Sequence, residues 1–182
     1  MTAAVAVGLG CLVLALLLAR AWWFRRTLSA EQRSRPKALA QAELVYMETL
    51  FRIQQPFPLV AKVDRVYRLP RGPLVLVELK VRQQNRPHLS DVVQLSAQRL
   101  VIAMETGETV APYGFVSIPI PGRHGVFRSH RVDLLNSSEL VRLYRRREEV
   151  LALRVHPGYA ASEAACRSCA LRSKCDRFND RT

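Results

Sequence analysis

An uncharged segment rich in Ala, Val and Leu runs from Ala3 to Ala19. Counted on to residue 24, it is long enough to cross about 30 Å of hydrocarbon as a helix. Trp and Phe at 22–24 suit a membrane interface, and Arg25 and Arg26 place positive charge on the C-terminal side. The segment 1–24 is therefore predicted to be a transmembrane anchor. By the positive-inside rule, the chain is predicted to be a single-pass protein of the inner (cytoplasmic) membrane with its C-terminal domain in the cytoplasm.

Two other interpretations of this segment are weaker. A cleaved signal peptide needs a basic region before the apolar run, and here the positive charge follows it. A buried core helix would have a polar stripe for solvent, which the segment lacks. Residues 25–40 are predicted to be a basic juxtamembrane linker against anionic lipid. The folded domain is predicted at 41–156, with a cysteine-bearing tail at 157–182.

Length and charge limit what the rest of the chain can be. The full chain has 182 residues, which suffices for one domain with a core once the terminal segments are set aside. Its formal net charge of +13 favours an anionic partner. Nucleic acid and an acidic membrane surface both fit, and the sign of the charge does not choose between them.

The hydrophobic pattern predicts an α/β (α+β) domain with a small mixed β-sheet flanked by helices. Helices are predicted at Leu39–Arg52, at Ser90–Thr106 with Ser90 as N-cap and Gly107 as stop, and from Ser137 or Ser138 to about Val155. Strands are predicted at Leu59–Leu69, Leu74–Val81, Tyr113–Pro119 and Val126–Leu134.

The first two strands carry the most informative polar residues. Pro and Gly at 70–73 predict a tight reversal about Arg71, which places Asp64 opposite Glu78 with Cβ atoms roughly 4.5–5.5 Å apart. Two adjacent carboxylates repel each other unless a cation lies between them, and Mg²⁺ or Mn²⁺ prefers such oxygen ligands. Lys80 shares the face of Glu78 because side chains alternate along a strand.

Phosphodiester hydrolysis uses this set of groups. A metal ion lowers the pKa of bound water and neutralises charge on the phosphate, and a nearby ammonium adds to that stabilisation. The alternative is that Glu78 and Lys80 are solvated residues on an edge strand, which is the ordinary interpretation of an isolated E-x-K. The paired Asp64 favours a site.

Asp64 followed by Glu78-Leu79-Lys80 resembles the core motif of the PD-(D/E)XK nucleases. The RecB-like and CRISPR-associated adaptation-nuclease branches carry a Gln followed four residues later by Tyr on the next helix; this sequence has Gln94 but a Gln at 98. The resemblance implies a restriction-endonuclease-like core. It also implies a further acid from a preceding helix, for which we choose Glu48 over Glu43, with an exposed surface acid as the alternative.

Cys166, Cys169 and Cys175 have the spacing C-x2-C-x5-C. Close cysteines in a cytosolic domain favour metal ligation over disulfides. The tail resembles that of iron-sulfur nucleases related to the adaptation nuclease, but the remaining cysteine, Cys11, lies in the apolar segment. An iron-sulfur cluster with a fourth ligand other than Cys, a zinc ion completed by His156 or another residue, and no metal all stay open.

These features predict a membrane-anchored DNA nuclease dependent on Mg²⁺ or Mn²⁺. By analogy with the cysteine-tailed relatives it acts as an exonuclease or on single strands, with little sequence specificity. One alternative is a catalytically inactive, membrane-tethered DNA-binding protein of the same fold. Another is a membrane scaffold whose basic domain lies on anionic lipid.

Overall fold

The computed structural model describes residues 14–20, 22, 31–123, 125–160, 163–167, 169–175 and 177. The chain divides into two compact units, Met1–Val141 and Arg142–Thr182. Most of the predicted anchor 1–24 lies outside the described ranges, as do residues 25–30 of the predicted linker. Within the described ranges, no helix is both long enough and apolar enough to cross a membrane.

The first unit is built on a five-stranded mixed sheet in which the strands lie in sequence order. The strands are β1 Glu43–Ile53, β2 Leu59–Arg68, β3 Leu74–Leu79, β4 Val110–Pro119 and β5 Phe127–Asp133. All neighbours are antiparallel except β3 and β4, which are parallel and are connected through helix α1, Leu89–Thr106. Helix α2 spans Ser137–Leu151, α3 spans Glu163–Arg167, and short 3₁₀ helices occupy Lys37–Leu39 and Arg172–Lys174.

The hairpin of β2 and β3 has the predicted register. Arg65 pairs with Val77 and Arg68 with Leu74, so the reversal is centred on Arg71, which has a φ of 53°. The paired register ends at Arg65. Beyond it β2 separates from β3, and Asp64 lies where the two strands diverge.

The predicted helix Leu39–Arg52 is wrong, because these residues form strand β1. Val45, Thr49 and Ile53 are β-branched, a composition that favours strands. The register shifts between Leu44 and Tyr46, and Glu48 has a φ of 53°. These irregularities interrupt the two-residue alternation of a strand, so the apolar residues fall at spacings that resemble those of a helix.

The other predicted elements are confirmed with small shifts at their ends. Helix α1 has His88 as N-cap rather than Ser90, and the backbone N–H of His88 donates to the Asp91 carboxylate at 2.8 Å. Gly107 ends this helix in the left-handed conformation with a φ of 71°. Helix α2 ends at Leu151, short of Val155.

Two apolar clusters cover the two faces of the sheet. On one face, α1 packs through Leu95 and Ile102 onto Leu76 and Val116, all fully buried. On the other face lie Leu39, Ala42, Tyr67, Val75, Val77, Ala111 and Phe115. The described part of the predicted linker therefore does not stand apart from the domain, because the segment around Leu39 covers this second face.

A buried polar network fixes that segment to the sheet. The Glu31 carboxylate accepts hydrogen bonds from Arg35 at 2.8 Å and from the Tyr67 hydroxyl at 2.5 Å. Burial alone would raise the pKa of Glu31, but the bonds from Arg35 and Tyr67 outweigh it and lower the pKa below its usual value. Burial, with Glu31 beside it, raises the pKa of Tyr67 to about 12. At neutral pH the network therefore contains an ionised Glu31 and a neutral Tyr67.

Candidate active site

Glu78 occupies the centre of a polar cluster at the carboxyl end of β3. Its side chain points toward α1 and is only 3% exposed. One carboxylate oxygen accepts a hydrogen bond from Gln94 Nε2 at 2.7 Å, and the other accepts one from Gln98 Nε2 at 3.0 Å. A buried carboxylate is stable only with such partners, and helix α1 supplies two of them.

Lys80 completes the cluster; it lies two residues after Glu78, just past the end of β3. Its Nζ lies 2.8 Å from Glu78 Oε1 and donates to Gln94 Oε1 at 2.7 Å. The backbone N–H of Lys80 also donates to the Ser117 carbonyl at 3.0 Å, which extends the pairing with β4 past the end of the strand. Lys80, Glu78 and Gln94 thus form a closed triangle of polar contacts.

Asp64 reaches the same end of the sheet from β2. Its Oδ2 accepts a hydrogen bond from the backbone N–H of Leu79 at 2.7 Å, which holds the carboxylate beside Glu78 in the gap between the strands. Burial raises the pKa of Asp64 most, the Leu79 N–H opposes that increase, and the negative charges of Glu78 and Glu48 add to it. The surroundings of Asp64 therefore disfavour its ionised form.

Glu48 lies on β1 across from Asp64, although the helix on which it was predicted does not exist. Met47 pairs with Arg65 and Thr49 with Val63, so Glu48 and Asp64 occupy the intervening position on each strand. The Glu48 side chain is 57% exposed and forms an ion pair with Lys62. The structure thus brings a third carboxylate near the pair, at the mouth of the site.

Sequence reasoning did not identify Gln98 or Lys62 as members of the site. Gln98 is 1% exposed and, besides Glu78, its amide donates to the Lys62 carbonyl at 3.0 Å. Its position four residues after Gln94 was the available signal, because residues so spaced share one face of a helix. Lys62 gave no signal, since its role depends on the irregular pairing of β1 with β2.

The loop from Lys80 to α1 is attached at two further points. Arg82 forms an ion pair with the buried Asp91 at 2.7 Å, and Asn85 contacts His130 of β5 at 2.6 Å. Hydrogen bonds to Arg82 and the His88 backbone lower the pKa of Asp91 despite its burial. The loop that carries Lys80 is therefore held from both sides.

We expect Gln98→Leu to lower the turnover number of any reaction at this site about 10- to 100-fold, because residues that orient such carboxylates typically have effects of this size. Substrate affinity should change little, since Gln98 is buried beneath Glu78. Steady-state kinetics separates the two quantities. Gln54→Leu, at an exposed position, is the matched control. An unchanged turnover number per folded molecule would contradict the assigned role.

Asp64 and Glu78 have the chemistry that a hard divalent cation needs. Both supply carboxylate oxygens. Burial raises the pKa of Asp64, and the negative charges of Glu78 and Glu48 raise it further. Among the described residues, no three Asp, Glu, His or Cys side chains converge closely enough to hold a metal as they stand. Glu48 would have to leave Lys62 to join the pair.

The cysteine tail belongs to the second unit. Cys166 is buried, Cys175 is half-buried and Cys169 is exposed, and all three line a cavity of about 630 Å³ together with His156. In the described part of this unit, these side chains do not converge as metal ligands. The predicted iron-sulfur cluster or zinc ion is therefore not supported.

The sequence and fold of this chain are similar to those of known proteins. The family model of the PD-(D/E)XK nuclease superfamily matches residues 11–176. The chain belongs to this superfamily. Comparison with curated proteins finds no match. Among solved structures, the crystal structure of SSO0001 is similar, with 16% identity, a TM-score of 0.49, and coverage of 90% of this chain and 71% of that chain.

Members of the PD-(D/E)XK superfamily are typically nucleases that use Mg²⁺ or Mn²⁺. Membership of this chain in the superfamily therefore implies a nucleic-acid substrate. The five-stranded mixed sheet with its helices fits the restriction-endonuclease-like core predicted from the sequence. The RecB-like and adaptation-nuclease branch stays a prediction. Asp64, Glu78 and Lys80, the residues predicted to form the motif, lie together at the carboxyl end of β3.

Proposed function

We propose that this PD-(D/E)XK protein is a metal-dependent DNA nuclease whose active site is formed by Asp64, Glu78 and Lys80, with Gln94 and Glu48 in support. The observation that carries the proposal is the burial of Glu78 in contact with Lys80, Gln94 and Gln98, with Asp64 beside it. A buried Glu paired with a half-buried Lys at the end of a strand is costly for stability. A catalytic role for Glu78 and Lys80 explains why the protein contains this costly pair.

Asp64 and Glu78 would hold Mg²⁺ or Mn²⁺, with Glu48 as a further ligand at the mouth. The ion, when bound, lowers the pKa of a bound water and stabilises negative charge on the scissile phosphate. Asp64 and Glu78 already lie at one end of the sheet, whereas Glu48 would have to leave its ion pair with Lys62.

The protein's own groups have separate tasks. The Lys80 ammonium would orient the attacking water or stabilise charge on a phosphate oxygen. Gln94 bonds to both Lys80 and Glu78, so it keeps the ammonium beside the carboxylate before substrate arrives. Gln98 holds the other oxygen of Glu78. Fixing these groups in advance lowers the reorganisation that the reaction requires.

The charge of the chain supports a polyanionic substrate. A net charge of +13 favours contacts with phosphates, and such contacts bind without regard to sequence. We include in the proposal the finer features predicted above: a membrane anchor at 1–24, and exonuclease or single-strand-directed cleavage. The resemblance to the RecB-like branch supports the cleavage mode, and the apolar sequence of 3–19 supports the anchor.

The test is cleavage of end-labelled single- and double-stranded DNA, and of RNA of the same sequence, by the full chain in detergent. Reducing conditions are needed because Cys166, Cys169 and Cys175 form no disulfide within the described ranges and could be oxidised. We expect DNA to be cut with Mg²⁺ or Mn²⁺ and to stay intact with EDTA, and exonuclease action to appear as loss from one labelled end. A folded protein that binds DNA and leaves it intact with both metals would instead be the DNA-binding protein of the alternative hypothesis.

A further inference from the structure

A basic region lies on the face of the sheet opposite α1, in a cleft of about 760 Å³. The segment around Arg33 and Lys37 forms one wall, and the ends of β4 and β5 with the turn between them form the other. We call this the Arg33–Arg128 cleft. It is separate from the carboxylate cluster, which faces α1.

The charge in this cleft is of one sign. Its lining residues include Arg33, Arg35, Lys37 and Arg128 but no Asp or Glu. Arg35 is paired with Glu31, whereas in the described part of the chain no acidic side chain forms an ion pair with the other three. All three are exposed. Unpaired, like-charged side chains around a concave surface favour an anionic ligand.

The turn between β4 and β5 gives the Arg33 side chain a defined place. Gly125 has a φ of 74°, and a Cβ atom at this position would lie 3.6 Å from Arg33 Nε. The turn is closed by a hydrogen bond from the Ile120 N–H to the Val126 carbonyl at 2.8 Å. The exposed Arg33 side chain therefore lies beside the turn at the entrance of the cleft.

The floor of the cleft is apolar. Phe127 is half-buried, Phe115 is 7% exposed and Ile120 lies beside them. A groove with cations on its rim and aromatic rings on its floor is typical of sites for single-stranded nucleic acid, where phosphates meet the cations and bases contact the rings. A duplex keeps its bases stacked inside and would use the rim alone.

The cleft and the active site open at the same end of the sheet. β3 and β4 are parallel, Leu79 lies level with Ser117, and Phe127 pairs with Pro119. Strand spacing of about 4.8 Å and a rise of about 3.3 Å per residue place the backbones of Phe127 and Leu79 roughly 10–15 Å apart. A single strand of nucleic acid that crosses this edge of the sheet can contact both the cleft and the active site.

We infer that the Arg33–Arg128 cleft binds the backbone of a single-stranded nucleic acid a short distance from the phosphate at Glu78. The cleft then fixes the path of the strand over the edge of the sheet. This inference takes its substrate from the proposed function, but binding in the cleft needs neither a metal ion nor catalysis.

The test is binding of a fluorescent oligonucleotide to the full chain in detergent with EDTA, so that a failure of the nuclease proposal leaves the result intact. In the double variant Arg33→Gln/Arg128→Gln, we expect the Kd to rise about tenfold. The slope of log Kd against log salt should fall by about 1.4, which corresponds to two lost phosphate contacts on a single strand. Phe127→Leu should weaken binding without changing that slope.

Arg52→Gln/Arg71→Gln is the matched control, because both residues are exposed and neither lines the cleft. Its Kd should stay within about twofold of the parent protein, and melting temperatures verify that every variant is folded. An equal loss of affinity in both double variants would overturn the inference in favour of a general charge effect. Native mass spectrometry measures whether phosphatidylglycerol stays bound to each protein. If Arg33→Gln/Arg128→Gln binds the oligonucleotide as the parent does but no longer retains this lipid, the inference is overturned in favour of a lipid headgroup site.

Discussion

Glu78→Gln is expected to reduce DNA cleavage by about a thousandfold or more, because it removes one of the two carboxylates that would hold the metal and uncouples Lys80 from its partner. The amide is nearly the same size as the carboxylate and keeps an oxygen for Gln94 or Gln98. The fold should therefore survive. Single-turnover cleavage with Mn²⁺, together with oligonucleotide affinity in EDTA, measures the two effects separately.

The control for this variant is Glu43→Gln, which makes the same substitution at an exposed position at the start of β1. Its cleavage rate should equal that of the parent protein. Residual cleavage above about a tenth of the parental rate in Glu78→Gln, with the fold and DNA affinity intact, would remove Glu78 from the active site.

Asp64→Asn is expected to stabilise the metal-free protein at neutral pH by a few degrees in Tm. The folded protein raises the pKa of Asp64, through burial first and then through the charges of Glu78 and Glu48. Ionised Asp64 therefore opposes folding. The amide avoids this cost, and its side-chain oxygen can still accept the Leu79 N–H.

The upward shift of the Asp64 pKa determines the pH range in which Asp64→Asn changes stability. Below the ordinary pKa of Asp, Asp64 is protonated in both the folded and unfolded states and contributes nothing. The destabilisation develops as the pH rises from that value to the raised folded-state pKa, and it is complete above it. The Tm difference between Asp64→Asn and the parent should thus be present at pH 7 and vanish in acid.

Metal ions should reverse the order of stability. Ligand binding to the folded state stabilises it by about 2.7 kcal/mol at a concentration one hundred times Kd. With saturating Mn²⁺ the parent protein should melt at a higher temperature than Asp64→Asn, which lacks the ligand. Differential scanning fluorimetry with and without Mn²⁺ measures both orders. An equal Mn²⁺-dependent rise in the two proteins would place the metal elsewhere.

The hairpin that carries the site could be predicted because its determinants are local. The Pro and Gly residues at 70–73 mark the turn, and the register then follows from alternation, as the pairs Arg65–Val77 and Arg68–Leu74 confirm. The sequence therefore predicts that Asp64, Glu78 and Lys80 lie near one another, as they do in the structure. The contact between Asp64 and the Leu79 N–H was not, since it requires β2 and β3 to separate beyond the last paired residues.

The remaining errors come from interactions between distant parts of the chain. β1 was predicted as a helix because the bulge near Leu44 and the positive φ of Glu48 disturb its alternation. Only packing against the sheet settles its conformation. The Arg33–Arg128 cleft joins residues nearly one hundred positions apart, and no local pattern relates them. Both the conformation of β1 and the formation of the cleft therefore depend on tertiary structure.

The parallel pairing of β3 with β4 determines when the proposed active site can form. The antiparallel neighbours can pair as soon as each hairpin is made, whereas β3 and β4 meet only after the crossover through α1 is complete. Gln94 and Gln98 lie on that crossover. A nascent chain that ends before α1 contains both carboxylates and Lys80 but leaves Glu78 without its amide partners. The proposed site is therefore incomplete until α1 packs on the sheet, and a partly synthesised chain carries the motif without the site.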